Sequence, residues 1–280
     1  MNTLSATWAS IVGIAIVLAL YLRWGLPATL RAFGLHPDYQ GTCTTFPGGR
    51  ALVVTTSHST LGDGGPATGV FGSEMTAPYY AFLDAGMAVD VASIRGGAVP
   101  IEPMSFRWFL AAESDKRYQR DPAFQSKVAN SLPIESLDFG DYDIIFLAGG
   151  WGAAYDLGRS EVLGQKISAA WAAGRVIGGV CHGPLGLLLA TEPDGQALVR
   201  GKRLTAVTDR QVSQLGITQT PQHPERELRQ AGARFENSTA FRDIFATHVV
   251  ADGRLVTGQN QNSSTATAQC MLSIAAAQHD

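Results

Sequence analysis

The sequence is poor in cysteine and has no excess of positive charge. Its 280 residues include three cysteines, Cys43, Cys181 and Cys270, which are far apart and odd in number. This pattern excludes a disulfide framework and a zinc-binding spacing. The formal net charge is −3, and without a basic stripe or a recognition-helix motif the sequence gives no case for a nucleic-acid partner. His58 and His248 stand alone, and isolated histidines are usually satisfied polar residues, so neither a metal nor a cofactor is expected.

Charge is also missing from the first part of the chain. No residue from Thr3 to Leu22 is charged, and twenty helical residues rise about 30 Å, the hydrocarbon thickness of a bilayer. A cleaved signal peptide is the alternative, but neither a basic n-region nor a small-x-small cleavage site is evident. Arg23 and Arg31 follow the apolar stretch, and no Lys or Arg precedes it. The positive-inside tendency therefore predicts a single-pass anchor in the lipid bilayer with the main domain in the cytoplasm.

Three parts are predicted along the chain: a transmembrane anchor over residues 1–24, a juxtamembrane linker over 25–49, and a soluble domain over 50–280. Strands alternate with helices in the soluble part, which predicts an α/β fold with a mostly parallel sheet covered by helices on both faces. The apolar runs expected to form strands are 51–56, 87–93, 143–148, 176–180 and 203–207, followed by a hairpin over 247–250 and 254–257.

The stretch from Gly174 to Ala190 places a cysteine at a sharp turn after a buried strand. Gly179-Val180-Cys181-His182-Gly183 follows the pattern of a nucleophile elbow, with cysteine in the serine position. The flanking glycines remove Cβ atoms that would clash in so tight a turn. Pro184 suits the first position of a following helix, whose N-terminus would favour a thiolate. A lone cysteine is most often a small core residue, but this context favours a nucleophile for Cys181.

Two other predicted strand ends carry residues of interest. Ligands of such sheets bind beyond the carboxyl ends of the strands. Gly149-Gly150 ends one strand, and Glu74 follows the loop that ends another, at the start of a helix. Glu74 can equally be an ordinary first-turn carboxylate that interacts with the helix dipole. His182 follows the cysteine directly, so the sequence leaves open whether the two side chains face each other.

Five segments together resemble the ThiJ/PfpI superfamily, which includes DJ-one, and its heat-shock-protein-thirty-one-like branch in particular. The resemblance covers roughly residues 50–277 and implies a flavodoxin-like, glutamine amidotransferase-like sandwich that is usually dimeric, so a homodimer is a further expectation. The segments, in chain order, are TGVFGSEMTAPYYAFLDAGMAVDVAS, LAGGWGAAYD, GGVCHGPLGLL, LTAVTD and DGRLVTGQNQNSS.

The resemblance implies a set of site residues. The family's nucleophile falls on Cys181, its adjacent histidine on His182 and its buried helix-start glutamate on Glu74. Asp209 occupies the position of an acidic residue that orients the histidine in some members. The backbone amides of Gly150 and His182 would form an oxyanion hole.

The chain also departs from the family pattern. Trp151 stands where many relatives have a histidine, and Gln261 stands where they often have a proline. Trp151 is therefore expected to alter the pocket wall, and with it the substrate. The predicted anchor is outside the common pattern.

The leading hypothesis is a cysteine-dependent enzyme acting on small reactive carbonyls. It would be of the glyoxalase III type, converting a 2-oxoaldehyde to a 2-hydroxy acid without glutathione, or a related hydrolase. A class I glutamine amidotransferase-like hydrolase is one alternative, because it shares the elbow. Its H-x-E motif matches His223-Pro224-Glu225 only in spelling. A second alternative is a membrane-tethered redox sensor or holdase-like protein without turnover, since accessible thiols of low pKa oxidise readily.

Overall fold

A computed structural model describes residues 2–279, so Met1 and Asp280, the outer ends of the predicted anchor and domain, lie outside it. Its main sheet has seven strands in the order β3-β2-β1-β4-β5-β9-β8. All neighbours in this sheet are parallel except β8, which pairs antiparallel with β9. A second sheet consists of β6 and β7. The strands are β1 (Arg50–Thr55), β2 (Ala88–Ser93), β3 (Leu132–Pro133), β4 (Ile144–Leu147), β5 (Val176–Val180), β6 (Arg203–Leu204), β7 (Arg234–Phe235), β8 (Val249–Asp252) and β9 (Leu255–Gly258).

Helices cover both faces of the main sheet, so the predicted α/β class with a mostly parallel sheet is confirmed. Alternate residues of β1 illustrate the two layers: Val53 packs in the core beside α3, α5 and α10, and Leu52 in the core beside α7. The helices are α1 (Asn2–Leu20), α2 (Leu26–Ala32), α3 (Gly72–Asp84), α4 (Glu113–Tyr118), α5 (Pro122–Ala129), α6 (Ala153–Asp156), α7 (Glu161–Ala172), α8 (Asp209–Gln214), α9 (Pro224–Gln230) and α10 (Ser264–Ala277).

The chain from residue 2 to residue 32 is helical throughout. A five-residue π-helical turn, Tyr21–Gly25, joins α1 to α2. Within the described residues, Ser10–Ala32 is the only helical stretch long and apolar enough to cross a membrane, with a mean hydropathy of 1.9 and none of its apolar window buried. A signal sequence has the same length and composition.

The segment predicted as a linker is packed against the domain. Leu35 is only 3% exposed. The Asn262 side chain donates to the Gly34 carbonyl (2.7 Å) and accepts from the His36 amide (2.8 Å). The His36 ring lies 2.7 Å from the Leu110 carbonyl. The first residues after the N-terminal helix are therefore fixed to the loop that follows β9.

Candidate active site

Cys181 lies at the carboxyl edge of the main sheet, immediately after β5. Its backbone has a φ of +57°, a left-handed conformation that is unusual for a residue other than glycine. The strand is followed by a short 3-10 turn, Gly183–Leu187, instead of the expected α-helix. The strand-to-turn elbow is thus confirmed, but the expected dipole of a long helix behind Cys181 is not present. Strain of this kind is typical of functional sites.

The glycines of the elbow are required by close backbone approach. A Cβ atom at Gly183 would overlap the carbonyl oxygen of Leu147 in β4, and a Cβ atom at Gly179 would overlap the same oxygen. Gly149, the second residue after β4, is similarly enclosed, since its Cβ would overlap Glu74 Oε2 and lie 2.7 Å from the His182 amide nitrogen. At these glycines the ends of β4 and β5 and the start of α3 therefore approach one another closely.

Glu74 is the third residue of α3 and is 1% exposed, in contact with Cys181. Burial raises the pKa of Glu74 to about 8, against weaker opposing effects of the Cys181 side chain and the Gly149 and Gly150 amides. The expected contact between a protonated glutamic acid and the cysteine is therefore present. Among the described residues, Glu74 Oε2 has no hydrogen-bond partner, which leaves an acceptor free inside the site.

Cys181 is 7% exposed. Burial is the main reason why the pKa of its thiol is raised well above 9.0, and the nearby Glu74 raises it further. The amides of Gly150 and His182 act the other way and favour a negative charge on the sulfur, but they are outweighed. The raised pKa of the thiol is opposite in direction to the thiolate predicted from the sequence. Because the two side chains are in contact, a negative charge on Glu74 disfavours a negative charge on Cys181.

His182 lies beside the sulfur, with its Nδ1 atom 3.3 Å from Cys181 Sγ. Burial, and to a smaller extent His223, lowers the pKa of His182 to about 3, so the ring is neutral at physiological pH. The Trp151 ring packs against the ring of His182 at a centroid distance of 4.6 Å. The departure from the family pattern at Trp151 thus forms the wall next to the histidine, as expected.

Asp209, expected beside His182, is not hydrogen-bonded to it. Its Oδ1 atom lies 3.3 Å from Nδ1 of His223 instead. Within residues 2–279, Nε2 of His182 is buried and has no hydrogen-bond partner. His223 is close enough to lower the pKa of His182, so it interacts with both of the residues that were expected to touch. In the sequence, only the match of His223-Pro224-Glu225 to the H-x-E motif pointed to this arrangement.

A pocket of about 450 Å³ opens above Cys181, and Glu74, Gly150, Trp151 and His182 also line it. This volume is typical of sites for small organic ligands. Part of its wall comes from Leu35 and His36, which the sequence placed in a linker. Gln261, the second departure from the family pattern, also lines it. Across the described residues, no group of three or more His, Cys, Asp or Glu side chains is arranged to hold a metal ion.

A parallel α/β sheet with a cysteine at a nucleophile elbow, a buried glutamate beside it and a ligand-sized pocket above defines the class of this protein. The sequence profile of the DJ-1/PfpI family matches residues 67–273. The chain belongs to the DJ-1/PfpI family.

Relatives within this family match over nearly their whole length. The glutathione-independent glyoxalase hsp3101 of Schizosaccharomyces pombe is 27% identical, over 81% of this chain and 96% of the relative. The probable glutathione-independent glyoxalase HSP32 of Saccharomyces cerevisiae is 30% identical, over 78% and 94% respectively.

Two solved structures also match this chain over nearly their whole length. Rapid Encystment Protein 24 kDa of Francisella tularensis is 30% identical with a TM-score of 0.74, over 81% of this chain and 99% of that protein. Glyoxalase III of Candida albicans is 26% identical with a TM-score of 0.74, over 81% and 97%.

Proposed function

We propose that this protein is a glyoxalase of the glutathione-independent type, which converts a 2-oxoaldehyde into a 2-hydroxy acid. The observation that supports it most strongly is the buried contact between Glu74 and Cys181 at the elbow. A carboxyl group with a pKa of about 8 can give and take protons near neutral pH, which this isomerisation requires. The names of the relatives support the same reaction.

The first step is addition of the Cys181 thiol to the aldehyde carbon. Ionised Glu74 accepts the thiol proton as the sulfur–carbon bond forms, and the aldehyde oxygen gains the charge. The amides of Gly150 and His182 favour negative charge at the sulfur, and in the adduct they would favour it on the oxygen two bonds away. Such donors contribute roughly 3 kcal/mol each to a transition state. The oxygen then takes the thiol proton from Glu74, which gives a neutral hemithioacetal and leaves Glu74 ionised for the next step.

The second step moves hydrogen between the two adjacent carbons. Glu74 removes the proton from the former aldehyde carbon and returns it to the neighbouring carbon through an enediol, while the hydroxyl proton of the hemithioacetal moves to the second carbonyl oxygen. The product is a 2-hydroxyacyl thioester of Cys181, and water hydrolyses it to the 2-hydroxy acid and the free thiol. The reaction adds one water in total and needs neither an oxidant nor a reductant. We assign this shuttle to Glu74 rather than His182, because the low pKa of His182 makes it a weak base.

The test is turnover of methylglyoxal by the full chain in detergent, without glutathione. We expect lactate as the product and a loss of at least about a thousandfold in kcat for Cys181→Ala. Cys270→Ala is the matched control, because Cys270 lies in α10 and does not line the pocket. Equal rates for wild type and Cys181→Ala would overturn the proposal.

We propose further that the apolar span predicted over residues 1–24 anchors the enzyme in a bilayer, ahead of an enzyme domain over residues 50–280. None of the helix's apolar window is buried, which is unlike a core helix of a soluble protein. The positions of Arg23 and Arg31 support a cytoplasmic domain.

One contact favours a second function, that of a glutamine amidotransferase-like hydrolase. Such an enzyme has a distant histidine near its nucleophile. Here His223, from the H-x-E match, lies near His182 and contacts Asp209. Glutaminase activity that is lost in His223→Ala would establish this function. We instead propose that Asp209 holds His223, and that His223 in turn lowers the pKa of His182.

A further inference from the structure

We propose that the pocket above Cys181 takes a 2-oxoaldehyde with an uncharged apolar tail, which reaches the site from the bilayer. This inference rests on the proposed function and names its substrate class. Methylglyoxal has five non-hydrogen atoms, whereas the pocket measures about 450 Å³. At about 30 Å³ for each water-sized group, this volume accommodates a molecule roughly three times as large.

The residues that line the pocket favour an uncharged, apolar tail. No lysine or arginine is among the described residues that line the pocket, so it offers no cation for a carboxylate or phosphate group. Burial lowers the pKa of His36, which favours its uncharged form. Most of the wall away from the sulfur is aliphatic, with side chains from six separate segments: Leu35, Leu61, Leu110, Val207, Ile217 and Ile244.

The polar side chains in the wall are already engaged elsewhere. Glu102 accepts hydrogen bonds from the Thr68 hydroxyl and the Met104 amide, at 2.8 and 3.2 Å. The amide group of Gln261 donates to the Ile244 carbonyl at 2.9 Å. A hydroxylated tail, such as that of a sugar aldehyde, would find few free partners there. Two buried polar atoms without a partner, Glu74 Oε2 and His182 Nε2, belong instead to the two residues that contact Cys181, where the carbonyl groups react.

The position of the pocket points to the source of the substrate. Phe33 directly follows the apolar helix, and its ring packs against Phe241 and Phe245 at centroid distances of 6.0 and 6.2 Å. Phe33 and Phe241 are 59% and 72% exposed, and aromatic rings at the end of a membrane span sit at the interface. Leu35 and Ile244, which line the pocket, are within three residues of these rings in sequence. A tail that partitions into the bilayer is therefore delivered next to this wall.

The test compares methylglyoxal, butylglyoxal and octylglyoxal as substrates of the full chain in phosphatidylcholine vesicles. Each methylene that enters an apolar pocket improves binding about threefold to fourfold. We expect kcat/KM to rise by about this factor per methylene from methylglyoxal to butylglyoxal, mainly through a lower KM. Leu35→Asn and, independently, Ile217→Asn should lower the ratio of octylglyoxal to methylglyoxal kcat/KM at least tenfold.

Val162→Asn is the control, because Val162 is a partly exposed residue of α7 outside the pocket, and its ratio should equal that of wild type. Equal kcat/KM for all three substrates would overturn the inference and leave the proposed function intact. A rise with chain length that both wall variants retain would overturn it as well, because the tail would then bind elsewhere. Absence of turnover with every substrate would overturn the proposed function itself.

Discussion

Glu74 and Cys181 are buried against each other, and this contact controls the ionisation of the site. Both groups lose the hydration that would stabilise their charged forms, so the pKa of each is raised. A negative charge on one of them therefore disfavours a negative charge on the other. We propose that the carboxyl group ionises first and that Cys181 reacts as a thiol that passes its proton to it.

The pH dependence of kcat/KM tests this order of ionisation. We expect kcat/KM for methylglyoxal to rise about tenfold per pH unit and to level off near pH 8, the pKa of Glu74. Glu74→Gln should remove this dependence and most of the activity. Glu161→Gln, which changes an exposed first-turn carboxylate of α7, should keep the wild-type profile. A rate that falls over this pH range would contradict the assignment.

The free energy of unfolding should fall with pH, whereas kcat/KM rises. The pKa of Glu74 is about 8 when folded, against an ordinary value of 4.5, so the unfolded chain loses this proton first. The free energy of unfolding therefore falls as pH rises from 4.5 to 8. Glu74→Gln should be more stable than wild type by roughly 4 kcal/mol at pH 8 and about equal to it at pH 4.5. Thermal unfolding at both ends measures this, and a less stable Glu74→Gln at the upper pH would refute it.

At the scale of elements, the sequence predicted the strands better than the turns. Long apolar runs identified β1, β2, β4 and β5. The two-residue strand β3 has no pattern of its own, since its pairing with β2 is set by tertiary contacts. The α-helix expected after Pro184 is a 3-10 turn, which periodicity does not distinguish from a helix start.

The elbow glycines give a prediction at this scale. Gly183→Ala should destabilise the protein by about 2 kcal/mol or more, because the new methyl group overlaps the Leu147 carbonyl and the ends of β4 and β5 must separate. Gly140→Ala is the control, since its Cβ would meet only the Asp138 side chain, at 3.1 Å. Thermal unfolding and methylglyoxal turnover measure both variants. Wild-type values for Gly183→Ala would show that the elbow is not close-packed.

The site as a whole was only partly predictable from the sequence. The motifs identified Cys181, His182, Glu74 and the Gly150 amide, which the structure brings together. The contact between Asp209 and His223 was not predicted, because it depends on how the loop before α9 folds back. Neither was the contribution of Leu35 to the pocket, since a short segment after an apolar helix reads as a linker.

For the whole molecule, the N-terminal helix predicts tight membrane association. The full chain should resist extraction by alkaline carbonate and require detergent, because burial of an apolar span in lipid is effectively irreversible. Amino-terminal sequencing of the membrane fraction should begin at or near the start of the chain. A soluble form that begins after Ala32 would identify the helix as a cleaved signal sequence instead.

The most direct measurement of the central claim is detection of an acyl group on Cys181 during turnover. Acid quench of a single turnover of methylglyoxal, followed by peptide mass spectrometry, should find a lactoyl thioester on Cys181. Hydroxylamine should release it as the hydroxamate, and the adduct should form and decay at rates consistent with kcat. Full lactate production with no acyl group on Cys181, and an unchanged rate in Cys181→Ala, would contradict the account.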